Sequence, residues 1–276
     1  LPLGGGKAVI LADPGHPPSE EVFLAFGRCV ESLGGRYVTA VDVGMTMGTM
    51  RTIKPVTDFV AGLPPAEGSA GGDPSPWTAD GVFLGLEAAV KHSLGANSLK
   101  NLRVAVQGVG KVGYDLCRQL HEAGAVLTIS DVNPAHLERT RADFGARVVS
   151  PEQILFEDVD VLSPNALGAI LNAESIPRIK AKVIGGAANN QLATEEDGQR
   201  LADRGILYAP DYVINAGGII SVSLEYMGNK TAADVREQIA LIPGRLEEVF
   251  VTAEKQQQLT NVVADAMAEK IVSAGT

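Results

Sequence analysis

Three glycines and one aspartate carry the most legible chemistry in the chain. Gly108, Gly110 and Gly113 stand in G-x-G-x-x-G spacing directly after the apolar run Val104-Ala105-Val106. Asp131 follows about eighteen residues beyond the last of them, close to the spacing expected of an acid that accepts ribose hydroxyls. The first glycine permits a tight turn, the second lets backbone approach a pyrophosphate, and the third lets the following helix pack on the strand. Val109, Lys111 and Val112 complete a turn whose N–H groups, at a helix N-terminus, attract phosphate. A carboxylate at position 131 repels a 2′-phosphate, and Asn133-Pro134-Ala135 supply no arginine to offset it; Arg139 is the next, on the expected helix. The segment therefore predicts a dinucleotide site that takes NAD rather than NADP.

A second reactive group lies near the start, in Gly4-Gly5-Gly6-Lys7. It is not a phosphate-binding loop of the G-x-x-x-x-G-K-[ST] kind, because Ala8 follows the lysine and Leu1 stands where the first glycine belongs. A lysine desolvated in a cleft can lose its proton near neutral pH and act as a base. Asp42 stands at the end of the apolar run 36–41; the plain readings of the two residues are a solvated loop lysine and a helix N-cap. His16, His92, His121 and His136 have no metal-ligand spacing, and no G-x-S-x-G occurs, so metal and serine-hydrolase mechanisms have no support.

The elements that position these groups can be read from periodicity. Residues 8–12 and 36–41 read as strands, separated by a helix opening at Ser19-Glu20-Glu21, with Val22, Phe23, Phe26 and Val30 on one buried face. Residues 61–76, rich in Gly, Pro, Ser and Ala, read as a loop, and 78–92 as a helix. Strands are then expected at 103–107, 126–130, 147–149, 159–162, 182–184 and 206–208, each later one preceded by a helix. Their nearly all-apolar composition suits parallel strands covered on both faces. The fold expected is α/β, with a doubly wound Rossmann-type dinucleotide-binding domain and a smaller α/β substrate domain, N-terminally incomplete. The expected division is 1–80 for the substrate domain, 81–230 for the NAD-binding domain and 231–276 for terminal helices packing back toward the substrate domain.

The 276 residues carry a formal charge of −10, which argues against nucleic acid or an anionic membrane as partner. No apolar run approaches the ~20 residues of a membrane-spanning helix. Two cysteines, Cys29 and Cys117, suit a reducing cytoplasm rather than a disulfide framework.

Four segments, taken together, are far more specific than the glycine triplet. Leu1-Pro2-Leu3-Gly4-Gly5-Gly6-Lys7, Thr39-Ala40-Val41-Asp42-Val43-Gly44, Gly185-Gly186-Ala187-Ala188-Asn189-Asn190-Gln191 and Tyr208-Ala209-Pro210-Asp211-Tyr212-Val213-Ile214-Asn215-Ala216-Gly217-Gly218 resemble, in family order, the leucine/phenylalanine/valine dehydrogenases of the glutamate dehydrogenase superfamily. The resemblance implies that Lys7 is the base that activates water against an imino intermediate and that Asp42 handles the proton on the amino nitrogen. It places Thr78 at the nicotinamide carboxamide, with Ala166, Leu167, Gly168, Ala187, Ala188 and Asn189 along the nicotinamide side. Asn190 or its neighbour resembles the asparagine that orients substrate, and Ile219 and Val222 match positions that shape the side-chain pocket. Three positions depart from the pattern: Val41 stands where a Glu often precedes the aspartate, Asn165 where a Cys often sits, and Ser221 for a more usual Asn.

The activity implied is NAD-dependent, reversible oxidative deamination of an apolar L-amino acid to its 2-oxo acid and ammonia, by a cytoplasmic enzyme that is a homo-oligomer in the complete protein. Two rival readings are a dinucleotide-binding module without turnover and glutamate dehydrogenase proper, which would need a basic contact for the second carboxylate. One methylene in a pocket is worth only ~1–3 kcal/mol, so residue types leave leucine, valine, phenylalanine and tryptophan all open. The resemblance implies a further lysine, in a segment preceding the glycine run, that grips the substrate carboxylate, and residues 1–276 carry no match to it. The expectation is that residues 1–276 alone bind NADH, turn over slowly or not at all, and associate poorly.

Overall fold

The computed structural model describes residues 3–13, 15–42, 44–64 and 69–274; Leu1, Pro2 and Val43 of the quoted motifs, and 65–68 of the expected loop, lie outside them. The chain divides into two compact units, one of Leu1–Pro74 with Gly218–Gln238, the other of Ser75–Gly217 with Ile239–Thr276.

The larger unit is built on six parallel strands: β1 (Arg103–Gln107), β2 (Val126–Ser130), β3 (Arg147–Val148), β4 (Val161–Pro164), β5 (Val183–Ile184) and β6 (Leu207–Tyr208). Their order is β3-β2-β1-β4-β5-β6, so the chain reverses its direction of travel across the sheet between β1 and β4. In doubly wound sheets ligands bind at that switch point, beyond the carboxyl ends of the strands. Val104, Ala105, Val106, Ile129, Val161, Leu162, Val183 and Ile184 are fully buried, which requires cover on both faces.

One face packs on Ile154, Leu171, Ile176, Ile179 and Leu201. The other is covered by α3 (Ser75–Leu94) and α4 (Lys111–Glu122), which lie against each other, and α10 (Ile242–Gln256) packs on α3. α5 (Pro134–Phe144) opens with Asn133 accepting from the Ala135 N–H at 3.0 Å and a proline in its first turn. It stops at Gly145, whose φ of +64° suits glycine alone at no cost. α6 (Glu196–Asp203), α7 (Asp211–Ile214) and α11 (Thr260–Ala274) complete this unit.

Two expectations about this unit change. β4 and β5 are preceded only by short 3-10 turns, Ile154–Phe156 and Ile176–Arg178, where full helices were expected. Compact apolar turns centred on Ile154 and Ile176 cover that face instead. The terminal helices α10 and α11 group with the larger unit rather than with residues 1–74. The cause is the apolar face of α10, where Leu246, Val249 and Phe250 are buried. Residues 218–238 group with the smaller unit, and the whole of α3, including Thr78, with the larger.

In the smaller unit α1 (Glu20–Ser32) and α2 (Met47–Ile53) pack around Met50, Ile53 and Val60, with Phe23 and Phe26 against them. Val30 is buried as expected, whereas Val22 is exposed. α8 (Gly217–Met227) and α9 (Ala232–Ile239) follow later in the chain. Neither expected strand forms here. Residues 8–12 pair with nothing among the described residues, and Val9 and Leu11 are 76% and 95% exposed. A β-branched run becomes a strand only when a partner takes its backbone groups. In 36–41 the pairing shrinks to one parallel bridge, Thr39 with Val60. The Thr39 N–H donates to Phe59 O at 3.0 Å, and the Ala61 N–H donates to Thr39 O at 2.8 Å.

Candidate active site

The glycine turn after β1 lies at the switch point of the sheet. Gly108 has φ +83°, and a Cβ there would stand 2.9 Å from that of Ala166. At Gly113 a Cβ would lie 2.0 Å from Gly108 O, so α4 sits directly on the turn and tolerates no side chain. Gly110, between them, has nothing within 4 Å of a Cβ position. It begins α4 with no side-chain cap, and a helix N-terminus favours a phosphate acceptor. Lys111 and Val112 lie in that first turn.

Asp131 is tied to this turn. Its Oδ2 accepts from the Val109 N–H and its Oδ1 from the Asn133 N–H, both at 2.8 Å, and His136 Nδ1 stands 3.5 Å from Oδ2. Each carboxylate oxygen keeps acceptor capacity beyond these bonds. Gln107 Oε1 and Ser130 Oγ, at the carboxyl ends of β1 and β2, are buried without a hydrogen-bond partner. An open Gly110, uncapped helix N–H groups, a fixed carboxylate and unmatched buried polar atoms together fit a dinucleotide.

The opposite wall is a loop held by neutral amides. Asn165 Nδ2 donates to Ser163 O and Oγ at 2.9 and 3.0 Å, and its Oδ1 accepts from the Ala187 N–H at 2.9 Å. Gln191, fully buried, donates through Nε2 to Gly186 O and Ala188 O, each at 3.0 Å, while its N–H donates to Asp211 Oδ2. Asn215 Nδ2 donates to Asn189 Oδ1 at 2.7 Å and Ala187 O at 3.2 Å. Ala187, Ala188 and Asn189 are thus clamped from three sides.

Asn190 is exposed with φ +51°, and Gly168 is so close that a Cβ would lie 2.3 Å from Asn189 O. Ala166 and Leu167 are exposed. Thr78, in the first turn of α3, packs on Gly217, where a Cβ would lie 3.2 Å from the Thr78 Cα. Sequence reasoning gave no role to Gln191, Asp211 or Asn215, although all three lie inside the quoted motifs. It treated Asn165 only as a departure. Their signal was the density of amide side chains beside glycines.

In the smaller unit Lys7 Nζ and Asp42 Oδ2 form an ion pair across 35 positions of sequence. The side chains are 64% and 45% exposed, so the dry surroundings expected of a neutral lysine are not supplied by neighbouring residues. Of the two pocket positions on α8, Ile219 is 57% exposed and Val222 is buried. Sequence reasoning also missed Glu225 on the same helix. It is half-buried, and its Oε2 and Oε1 accept from the N–H groups of Gly62 and Leu63 at 2.9 and 3.0 Å. Burial pushes its carboxyl up from the ordinary range, and the two N–H bonds pull it back.

A parallel sheet of this order, with a glycine turn at its switch point and an acid closing β2, defines a Rossmann-type dinucleotide-binding domain. The family model described as Glutamate/Leucine/Phenylalanine/Valine dehydrogenase matches residues 71–139 and 137–274. A leucine dehydrogenase of Bacillus subtilis (strain 168) is 47% identical over 270 residues, 98% of this chain and 74% of that protein. The crystal structure of L-tryptophan dehydrogenase from Nostoc punctiforme superposes with a TM-score of 0.82 at 43% identity, covering 100% of this chain and 78% of that one. A hetero-hexameric glutamate dehydrogenase from Thermus thermophilus shares the fold, with a TM-score of 0.77 at 23% identity, covering 96% of this chain and 71% of that one. The chain belongs to the glutamate/leucine/phenylalanine/valine dehydrogenase family and is an amino-acid dehydrogenase acting on a CH–NH2 group. No helix among its described residues is long and apolar enough to cross a membrane.

Proposed function

We propose that the enzyme catalyses NAD-dependent, reversible oxidative deamination of an apolar L-amino acid. The amino acid, NAD and water give the 2-oxo acid, ammonium, NADH and a proton. The observation that carries this reading is the Lys7–Asp42 pair. It supplies one group that can take a proton from water and one that can hold the proton on the substrate nitrogen, and both serve one carbon centre. Lys7 acts as the base toward the attacking water once bound substrate excludes bulk solvent. Asp42 stabilises the protonated nitrogen before its departure as ammonia.

When bound, the cofactor would supply the hydride acceptor for Cα. Gly108–Gly113 and the first turn of α4 would hold its pyrophosphate, and Asp131 would take the adenosine ribose hydroxyls and disfavour a 2′-phosphate. Thr78, Ala166, Leu167, Gly168, Ala187, Ala188 and Asn189 line the nicotinamide. Asn190 orients the substrate, and Ile219 and Val222 give its side chain an apolar wall, which favours branched aliphatic or aromatic substrates over glutamate. The relatives named for leucine and L-tryptophan support that choice.

The enzyme works in the cytoplasm as a homo-oligomer. The described free thiols support the compartment, since Cys29 and Cys117 form no disulfide. Product stoichiometry tests the reaction. Leucine with NAD should give 2-oxo acid, ammonia and NADH in equal amounts; tight NADH binding without any of these products would make the protein a binding module.

A further inference from the structure

The reaction needs Asp42 and the helix carrying Ile219 and Val222 to hold a fixed relation to one substrate, yet Asp42 has little sheet to hold it. Its strand-like segment has a single bridge, Thr39 with Val60. What continues that pairing is packing: Gly62, with φ +78°, backs onto Val41, and a Cβ at 62 would lie 2.6 Å from Val41 Cγ2 and 3.1 Å from Val41 N. Gly62 therefore touches the residue immediately before Asp42 through a contact only glycine allows.

The N–H of Gly62 and that of Leu63 both end on one carboxylate, that of Glu225, more than 160 positions later in sequence. Glu225 lies on α8, one helical turn beyond Val222. Charge-assisted bonds to two consecutive N–H groups are short, directional and stronger than neutral ones. A half-buried carboxylate placed there also costs desolvation, which a neutral residue would avoid.

We propose that Glu225 is a positioning residue for the deamination reaction: it locks the Asp42 segment, through Gly62 and Val41, to the helix that carries the substrate side-chain wall. The inference rests on the roles assigned above to Asp42, Ile219 and Val222. Glu225 touches neither substrate nor cofactor. Its effect is geometric, and displacement of about 1 Å at a reacting group is enough to cost on the order of 10²-fold in rate.

The test compares Glu225→Gln, Glu225→Ala and Asp42→Asn with the wild-type enzyme. It reads kcat, KM for leucine, the leucine-to-valine ratio of kcat/KM, and NADH affinity. The glutamine variant keeps one acceptor oxygen but sets an NH2 against a backbone N–H. Either Glu225 variant should lower kcat tenfold or more and shift the leucine-to-valine ratio, with NADH affinity within twofold. A folded, NADH-binding Glu225 variant with kcat and selectivity within twofold of wild type would overturn the inference, as would a drop in thermal stability alone. Asp42→Asn at wild-type rate would instead sink the roles on which the inference rests. Amide hydrogen exchange on the wild-type enzyme gives a readout independent of any variant's folding. Gly62 and Leu63 should be protected, and exchange there at unprotected rates would show that the clamp does not exist.

Discussion

The two units hold their functional groups in opposite ways. In the larger one the reactive surface is backbone, and it is fixed by close packing and by neutral amides: Gly113 sits on Gly108 O, and Asn165, Gln191 and Asn215 clamp 187–189. In the smaller one the groups are charged side chains on sparsely paired chain, Lys7 with Asp42, steadied by a carboxylate clamp. A sheet-borne cradle binds a ligand mainly through backbone groups that carry no charge. Proton transfer requires groups that can change charge, and those are cheaper to keep near water until substrate arrives. Binding and chemistry should therefore fail separately when each region is altered.

The largest effect expected is from Lys7→Ala, which should lower turnover by at least ~10²-fold, the scale of a general base, with NADH affinity within twofold in calorimetric titration. A parallel loss of NADH binding would erase the distinction between the regions. Gly113→Ala is the converse. Its Cβ would meet Gly108 O at 2.0 Å, so α4 must move off the turn. NADH affinity should fall at least tenfold, with an overpacking cost of about 1–3 kcal/mol visible in thermal unfolding.

Asp131→Ser should narrow the preference for NAD over NADP, read as the ratio of kcat/KM for the two cofactors, by removing the charge that repels a 2′-phosphate. An unchanged ratio would move the ribose contact elsewhere. Asn215→Ala removes two donated bonds from the 187–189 loop, and each is worth about 0.5–1.5 kcal/mol. Weaker NADH binding by several-fold is expected, with the pH profile of kcat unmoved.

The smallest effect concerns the frame of the sheet. Arg103 beside Asp160 holds that carboxyl below the ordinary carboxylate range. A depressed folded-state pKa contributes stability above the unfolded value and loses it as pH falls through the folded one. Asp160→Asn should therefore flatten the fall in melting temperature between neutral pH and about pH 3, by no more than ~1 kcal/mol because the pair is partly solvated. An equally steep acid limb would assign it to other carboxylates.

What could be read from sequence follows the same divide. β1, β2 and the glycine turn were legible because buried parallel strands are apolar throughout and only glycine satisfies Gly108 and Gly113. The apolar run 8–12 was read as a strand on composition, yet strand formation depends on a partner that composition does not reveal. The same holds for 36–41, where the pairing is one bridge. The amide clamp was invisible because Asn165 and Ala187 meet only once β4 and β5 are side by side. Lys7 and Asp42 were linked by family resemblance alone, since no local pattern ties residues 35 positions apart. Glu225 was missed for a similar reason: a lone glutamate in an apolar helix reads as a solvated position until the loop that meets it is known.

Initial rates with leucine and with glutamate, each offered with NAD and with NADP, test the central claim most directly. The account predicts that the pairing of leucine with NAD gives the fastest reduction, with the other three at least tenfold slower. Glutamate turned over as fast as leucine, or NADP used as readily as NAD, would contradict it.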